Sequence, residues 1–340
     1  MKKLVFLLVF ALLLATTACH YEPAIAPQPS VLAEQIERVV PSGPLAQMLL
    51  LALAPDLMVG IASEWNTSAE AYLTEAQYAL PYTGRIFDGA DSNLESLALL
   101  APQLIIDIGE TRSASEEEYA SLKSQTGIST VFIPATLETM PEALRSLGDL
   151  LDREERAEQL ASFCETVYQR TKTIMEKVGS HKRSALYVLG EDGLNVIAKG
   201  SYHAEVLDAL TNNAAVVESP SSKGLGNAVS MEQIALWDPD VILFAPGSIY
   251  ESAAERETWS QLQAISKAQY VMVPEGPYNW MGNPPGVQRY LSLIWLPALL
   301  YPEYCEYDVK TEISAFYDLF YGCQLTDEQY AQLTATAFFR

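Results

Sequence analysis

Asn93-Leu94-Glu95-Ser96-Leu97-Ala98-Leu99-Leu100-Ala101-Pro102-Gln103-Leu104-Ile105-Ile106 is matched, 137 positions further on, by Ser230-Met231-Glu232-Gln233-Ile234-Ala235-Leu236-Trp237-Asp238-Pro239-Asp240-Val241-Ile242-Leu243. Glu, Ala, Leu, Pro and Ile recur in register, and most other positions exchange like for like. Each copy opens on a capping residue, runs through a short helix, turns at a proline and enters an apolar strand. Self-similarity of this kind marks a structural unit used twice, and the spacing exceeds the roughly 20–50 residues of stacked repeats. Two similar lobes in one chain follow.

Outward from the first copy, Arg38-Val39-Val40 reads as a short strand. Pro41-Ser42-Gly43-Pro44 turns into an apolar helix from Leu45 to Leu53, and Leu57 to Ile61 reads as a second strand. The repeat supplies a helix over 94–100 and a strand over 104–108. Val131 to Pro134 is the next strand and Pro141 to Leu151 the next helix. All-apolar strands alternating with helices predict a parallel sheet covered on both faces. Asp152 is read as the cap of a further helix, with Glu154 and Glu155 in its first turn, where carboxylates favour the helix dipole. No Pro or Gly interrupts that helix before Gly179, so it is a rod of roughly 40 Å. It falls between the two repeated units and is expected to bridge the lobes; an ordinary surface helix is the alternative.

Beyond it, Ala185 to Leu189 and Asn195 to Ala198 read as strands, 203–210 as a helix, then the second repeat and a strand from Val271 to Pro274. Helices over 285–300 and 310–320 close the chain. The expected fold class is α/β: two Rossmann-like αβα lobes, residues 36–151 and 181–340, joined by a single long rigid helix over 152–180, with a ligand cleft between the lobes.

The chain has 340 residues, 49% of them hydrophobic, enough for more than one core. Its formal net charge of -22 at pH 7 argues against nucleic-acid binding, which rests on neutralising phosphates. Lys2 and Lys3, the apolar run Leu4 to Ala15 and the small residues Thr16-Thr17-Ala18 form an export signal over 1–18, too short for an ordinary membrane span. Residues 19–35, with Pro23, Pro27 and Pro29, read as a flexible tether. Export permits disulfides: Cys305 and Cys323 share one segment and can pair or stay free, whereas Cys164, in a helical stretch, suits a buried thiol. Thiols without CxxC spacing make a poor zinc site, and with only His20, His181 and His203 a bare zinc or manganese ion lacks nitrogen ligands. There is no Gly-x-Ser-x-Gly, His-Glu-x-x-His or phosphate loop, and Gly224-Leu225-Gly226 lacks the third glycine of a dinucleotide fingerprint. No enzyme is expected, although the scaffold alone does not exclude one.

Several markers together resemble a known family. They are Arg38-Val39-Val40 followed by Ser42, the two Glu-containing repeats, and Asp152-Arg153-Glu154-Glu155-Arg156-Ala157 at the start of the long helix. Over roughly residues 36 to 325 this order is similar to the substrate-binding lipoproteins of ABC importers for iron-siderophores, haem and vitamin B12, the helical-backbone class III periplasmic binding proteins. The small residues before Cys19 resemble a bacterial lipoprotein signal, which implies lipid on Cys19 and a membrane-anchored chain facing the periplasm or cell exterior. The resemblance further implies no cofactor, a monomer, and partnership with an ABC permease dimer and its ATPase. By motif, Glu95 and Glu232 fall where the family docks onto permease arginines. Each also sits in a helix's first turn, where a carboxylate stabilises the helix by about 0.3–1 kcal/mol whatever else it does. The cargo implied is a metal chelate, a ferric siderophore first; cobalamin, haem, a nickel chelate, a molybdate-type oxyanion and a non-transport ligand sensor are the alternatives.

Ligands of open α/β sheets sit beyond the carboxyl ends of the strands. That rule selects Trp65, Arg85 and Arg112 in the first lobe and Tyr202, His203, Tyr278, Trp280 and Met281 in the second. Tyr278-Asn279-Trp280-Met281, flanked by Gly and Pro, offers flat apolar contacts on a stiff backbone; packing of Trp280 and Met281 against the Trp295 helix is the alternative. Arg85 and Arg112 suit an anion, since a guanidinium matches carboxylates and oxyanions. Tyr202 and His203 offer a phenol and an imidazole to an exposed metal centre; a helix-start His without a ligand role is the alternative.

Overall fold

The structure, a computed structural model, describes residues 35–87, 94–110 and 115–339. The export signal, Cys19 and the tether lie outside these residues, as do Asn93 and Arg112.

In the first lobe β1 (Val39–Pro41), β2 (Leu104–Gly109) and β3 (Ser129–Pro134) form a parallel sheet in that order. Val39 stands opposite Leu104 and Leu104 opposite Ser129. The Leu57–Ile61 segment is not a strand. Val39 exchanges backbone bonds with Leu57 and Val59, and Ile61 then turns to Pro81 and Thr83. Changing partners within four residues leaves only isolated bridges, Val39 to Met58 and Ile61 to Tyr82. Pro44 opens the Pro44–Leu53 helix, at a position where its missing N–H costs nothing.

The second lobe has β4 (Ser184–Leu189), β5 (Asn195–Val196), β6 (Asn212–Asn213), β7 (Asn227–Ala228), β8 (Val241–Phe244) and β9 (Tyr270–Met272). Their order is β7-β5-β4-β8-β9, with β6 beside β4. β4, β8 and β9 are parallel, while β5 and β7 run antiparallel. The repeat is a structural one. Helix Leu94–Leu100 leading to β2 corresponds residue for residue to helix Met231–Trp237 leading to β8.

Between the lobes runs the Glu154–Val178 helix of 25 residues. Ala157, Leu160, Ala161, Cys164, Val167, Thr171, Ile174 and Val178 are buried, a three- and four-residue spacing that keeps one stripe against its neighbours. Asp152 does not cap it. Asp152 takes a left-handed conformation (φ 54°) and closes the preceding Met140–Leu151 helix, and Arg153 holds the N-cap position without a side-chain cap. Only these two residues separate the helices, so Asp152 is used by the helix that ends there. Gly148 lets them approach: a Cβ on it would meet the Ala157 Cβ at 2.3 Å.

The two lobes share a core. One continuous cluster takes in Val39, Leu104 and Ile106 of the first sheet, the buried stripe of the long helix, and Ala185, Tyr187, Val241 and Val271 of the second. The Arg289–Leu300 and Val309–Tyr321 helices complete it, with Trp295, Phe316 and Phe320 buried. Residues 36–340 accordingly form one compact unit. Among the described residues no helix is long and apolar enough to cross a membrane.

Candidate ligand cleft and docking faces

Glu95 and Glu232 lie in the first turns of the two repeated helices and are exposed. Ser230 caps the second helix, accepting from the Gln233 backbone N–H at 3.2 Å. Backbone and Ser230 hydrogen bonds hold the Glu232 carboxyl below its usual range, so it is ionised at neutral pH.

The carboxyl ends of β2 and β3 face the start of the second lobe's first helix. Tyr202 donates from its phenol to the Ala135 carbonyl at 2.6 Å, and the Leu137 N–H is bound by Glu205 at 3.1 Å. Burial pushes the Tyr202 phenol up to about 12, so it is a neutral donor. Behind it lies Arg289, 0% exposed. Its guanidinium lies 5.1 Å from the Tyr202 ring centroid, donates to the Gly286 and Tyr202 carbonyls and pairs with Glu205. Arg289 Nη2 is buried and has no hydrogen-bond partner. Leaving such a donor unmet costs on the order of 1–3 kcal/mol, so an acceptor arriving there is favoured.

On the other side of the seam Gln47, buried in an apolar helix, ties two loops together. Its Oε1 accepts from the Ala62 and Ser63 N–H groups at 2.8 Å, and its Nε2 donates to the Ser63 carbonyl at 3.1 Å and the Tyr278 phenol oxygen at 2.8 Å. Asn66 adds a bond to the Pro277 carbonyl at 2.8 Å. Trp65 is thereby set edge-on to Tyr278, centroids 6.0 Å apart, half-buried and with its indole N–H unpartnered. Gln47, Glu205 and Arg289 escaped the sequence reading, which looked in loops. Their signal was a polar residue inside an apolar helical run, as in Arg289-Tyr290-Leu291-Ser292-Leu293-Ile294-Trp295.

The remaining candidates divide. Arg85 is exposed on the turn after Gly84. Trp280 and Met281 are 0% and 1% exposed; Trp280 packs edge-on against Trp295 at 6.2 Å. Their loop is tied down by Asn279, which accepts from the Tyr187 phenol and the Met281 N–H, and by Ser292, which donates to the Trp280 carbonyl. In this conformation both side chains pack as core and present no flat face to a ligand, although the buried Trp280 indole N–H, like Arg289 Nη2, has no hydrogen-bond partner. His203 is 8% exposed, with Nδ1 2.7 Å from the Gly282 carbonyl and Nε2 3.2 Å from the Ser222 carbonyl. A neutral imidazole donates from one nitrogen only, so one of these contacts is a hydrogen bond and the other a lone pair facing a carbonyl oxygen. The ring is wedged between two loops, and neither nitrogen is turned to open space for a metal. Among the described residues no three His, Cys, Asp or Glu side chains converge as a ligand set. Cys164, Cys305 and Cys323 are free thiols.

Two α/β lobes on a rigid helix, with polar groups lining their seam, define a class of two-lobed solute-binding protein. Residues 49–275 match the periplasmic binding protein family, and the chain belongs to it. An ABC transporter solute-binding protein from Sulfurospirillum deleyianum is 28% identical and superposes with a TM-score of 0.83 over 91% of this chain and 97% of its own. A periplasmic solute-binding protein from Veillonella parvula is 26% identical, TM-score 0.73, over 89% and 93%. The molybdate periplasmic binding protein MolA of Haemophilus influenzae, bound to molybdate, shares the fold at 17% identity, TM-score 0.69, over 86% and 94%. Among curated proteins there is no sequence match. The chain is thus a substrate-binding protein of an ABC transporter, of a kind that binds small molecules for a permease and its ATPase.

Proposed function

We propose that this protein captures an anionic metal species between its lobes and hands it to an importing permease, docking through Glu95 and Glu232 while lipid on Cys19 and the 20–35 tether hold it at the membrane. The observation that carries the ligand class is Arg289, wholly buried at the seam yet with Nη2 unpartnered. The unpartnered Trp65 indole N–H, on the same seam, is a second donor without an acceptor. Two spare N–H donors, one of them on a guanidinium, suit an anion. Arg85, exposed on the surface of the first lobe, would help draw it in, and Arg112, which lies outside the described residues, is proposed for the same role.

Within that class a compact oxyanion of the molybdate type fits better than a ferric siderophore, the ligand ranked first from sequence. A large chelate would want the flat aromatic wall of the Trp280–Met281 loop, and both side chains are packed as core. MolA, which shares the fold, binds molybdate. The siderophore remains the second reading because half-buried Trp65, packed on the buried Tyr278 ring, leaves one aromatic surface at the seam.

Calorimetric titration of the soluble chain with molybdate, ferric siderophores, haem, nickel–histidine and cobalamin tests this. An anion is expected to bind, and Arg289→Lys, which keeps the charge beside Glu205 but loses Nη2, to weaken it by about ten-fold or more, the worth of one charge-assisted hydrogen bond. Binding of cobalamin alone, or native affinity in a folded Arg289→Lys variant, would overturn it.

A further inference from the structure

The two repeated helices agree in burial at every one of their seven positions: Leu94 and Met231 half-buried, Glu95 and Glu232 exposed, and so on to Leu100 and Trp237. Their residues agree at only three. These are Glu95 and Glu232, Ala98 and Ala235, and Leu99 and Leu236, and they are the three exposed positions of each helix. The buried pair, Leu97 and Ile234, has drifted, as have the half-buried ones. Folding constrains buried positions and leaves exposed ones free. Here the pattern is inverted, so something outside the chain holds the exposed residues alike.

The spacing i, i+3, i+4 places Glu, Ala and Leu on one helix face. Leu99 is 86% exposed and Leu236 80%, the most exposed large hydrophobic residues among those described. A single exposed leucine is ordinary. Two at equivalent places, each one turn from an exposed glutamate, are not explained by chance burial statistics. Alanine between them keeps the face low, so that a partner can reach the backbone side of both residues.

We infer that Leu99 and Leu236 are apolar contact points of the permease interface, one on each lobe, each seated in a hydrophobic socket beside the basic residue that receives Glu95 or Glu232. This rests on the docking reading of the two glutamates. Duplication of the whole face selects the partner: two equivalent sockets are what a two-fold permease dimer presents. The carboxylates supply charge complementarity and register, and the leucines, once water leaves their sockets, supply the slow dissociation that exposed ion pairs provide poorly.

The test measures binding of the soluble chain to its permease–ATPase complex in nanodiscs, with three double variants. Leu99→Ser with Leu236→Ser is expected to weaken binding by about ten-fold or more, through faster dissociation, with an unchanged thermal midpoint and unchanged ligand affinity. Glu95→Lys with Glu232→Lys is expected to slow association and abolish binding. Leu225→Ser with Val216→Ser, at exposed apolar sites outside the repeat, is expected to bind as the native chain does. Native binding by the leucine variant overturns the inference and leaves glutamate docking intact. Native binding by the glutamate variant overturns the docking reading whatever the leucines do. A light-activated crosslinker at position 99 or 236 that captures a second copy of this chain in place of a permease subunit would also overturn the inference.

Discussion

Ala101 and Asp238 end equivalent helices, and both lie in the left-handed region, at φ 42° and 34°. That conformation turns each chain back into its strand, and it costs a residue with a Cβ roughly 1–2 kcal/mol. Asp238 has compensation: its carboxylate accepts from the Gln263 N–H at 2.9 Å. Ala101 has no side chain to do the same. Ala101→Gly is therefore expected to stabilise the fold by about 0.5–1 kcal/mol and Asp238→Gly to give no gain. Urea midpoints at constant slope would show it.

The long helix is set by a close approach. A Cβ at Gly148 would stand 2.3 Å from that of Ala157, with the Arg153 carbonyl 3.3 Å away. Gly148→Ala gains helix propensity but forces the two helices apart, and overpacking should dominate, at a net loss of about 1–3 kcal/mol. Thermal unfolding of the single variant checks this, and Gly148→Ala with Ala157→Gly should recover most of the loss.

Arg145 joins the same two helices from outside, donating to Glu158 at 2.7 and 3.0 Å and to Glu165 at 2.7 Å. The Arg145 hydrogen bonds hold the Glu158 carboxyl down to about 2 from an ordinary 4.5. A depressed carboxyl adds stability above its unfolded value and loses it as pH falls through its folded one. Arg145→Met should thus flatten the acid decline in stability between pH 4.5 and about 2. Both groups are surface-exposed, so the contrast with the native chain should shrink in high salt.

Glu205 neutralises the buried Arg289 and also binds the Leu137 N–H of the other lobe. Glu205→Gln leaves a guanidinium without a counter-charge in the core, and roughly 3–5 kcal/mol of stability is expected to go. The same variant tests the anion reading. A bound oxyanion would restore part of the missing charge, so ligand should raise its thermal midpoint more than that of the native chain.

The α/β class, the duplicated unit and the long helix were legible in the sequence because they depend on local signals: apolar strands of period-free composition, a helical stripe, and two stretches read against each other. The boundaries of the repeat are the same in sequence and structure, since a proline after each helix leaves the backbone little choice. Where a choice depended on distant partners the sequence was silent. Leu57 to Ile61 has strand composition, yet no single neighbour stays beside it long enough to build a ladder. Trp280 and Met281 look like a ligand wall until Trp295, Ser292 and Asn279 close on them. Gln47 and Arg289 are unremarkable polar residues in apolar helices until the fold sets Gln47 against residues 62–63 and Tyr278, and Arg289 against Tyr202 and Glu205. Composition and periodicity determined which segments fold and how they alternate. Which polar side chain ends buried at the seam between the lobes, and with a hydrogen-bonding group to spare, is a property of contacts between residues up to 231 positions apart, and only the tertiary structure decides it.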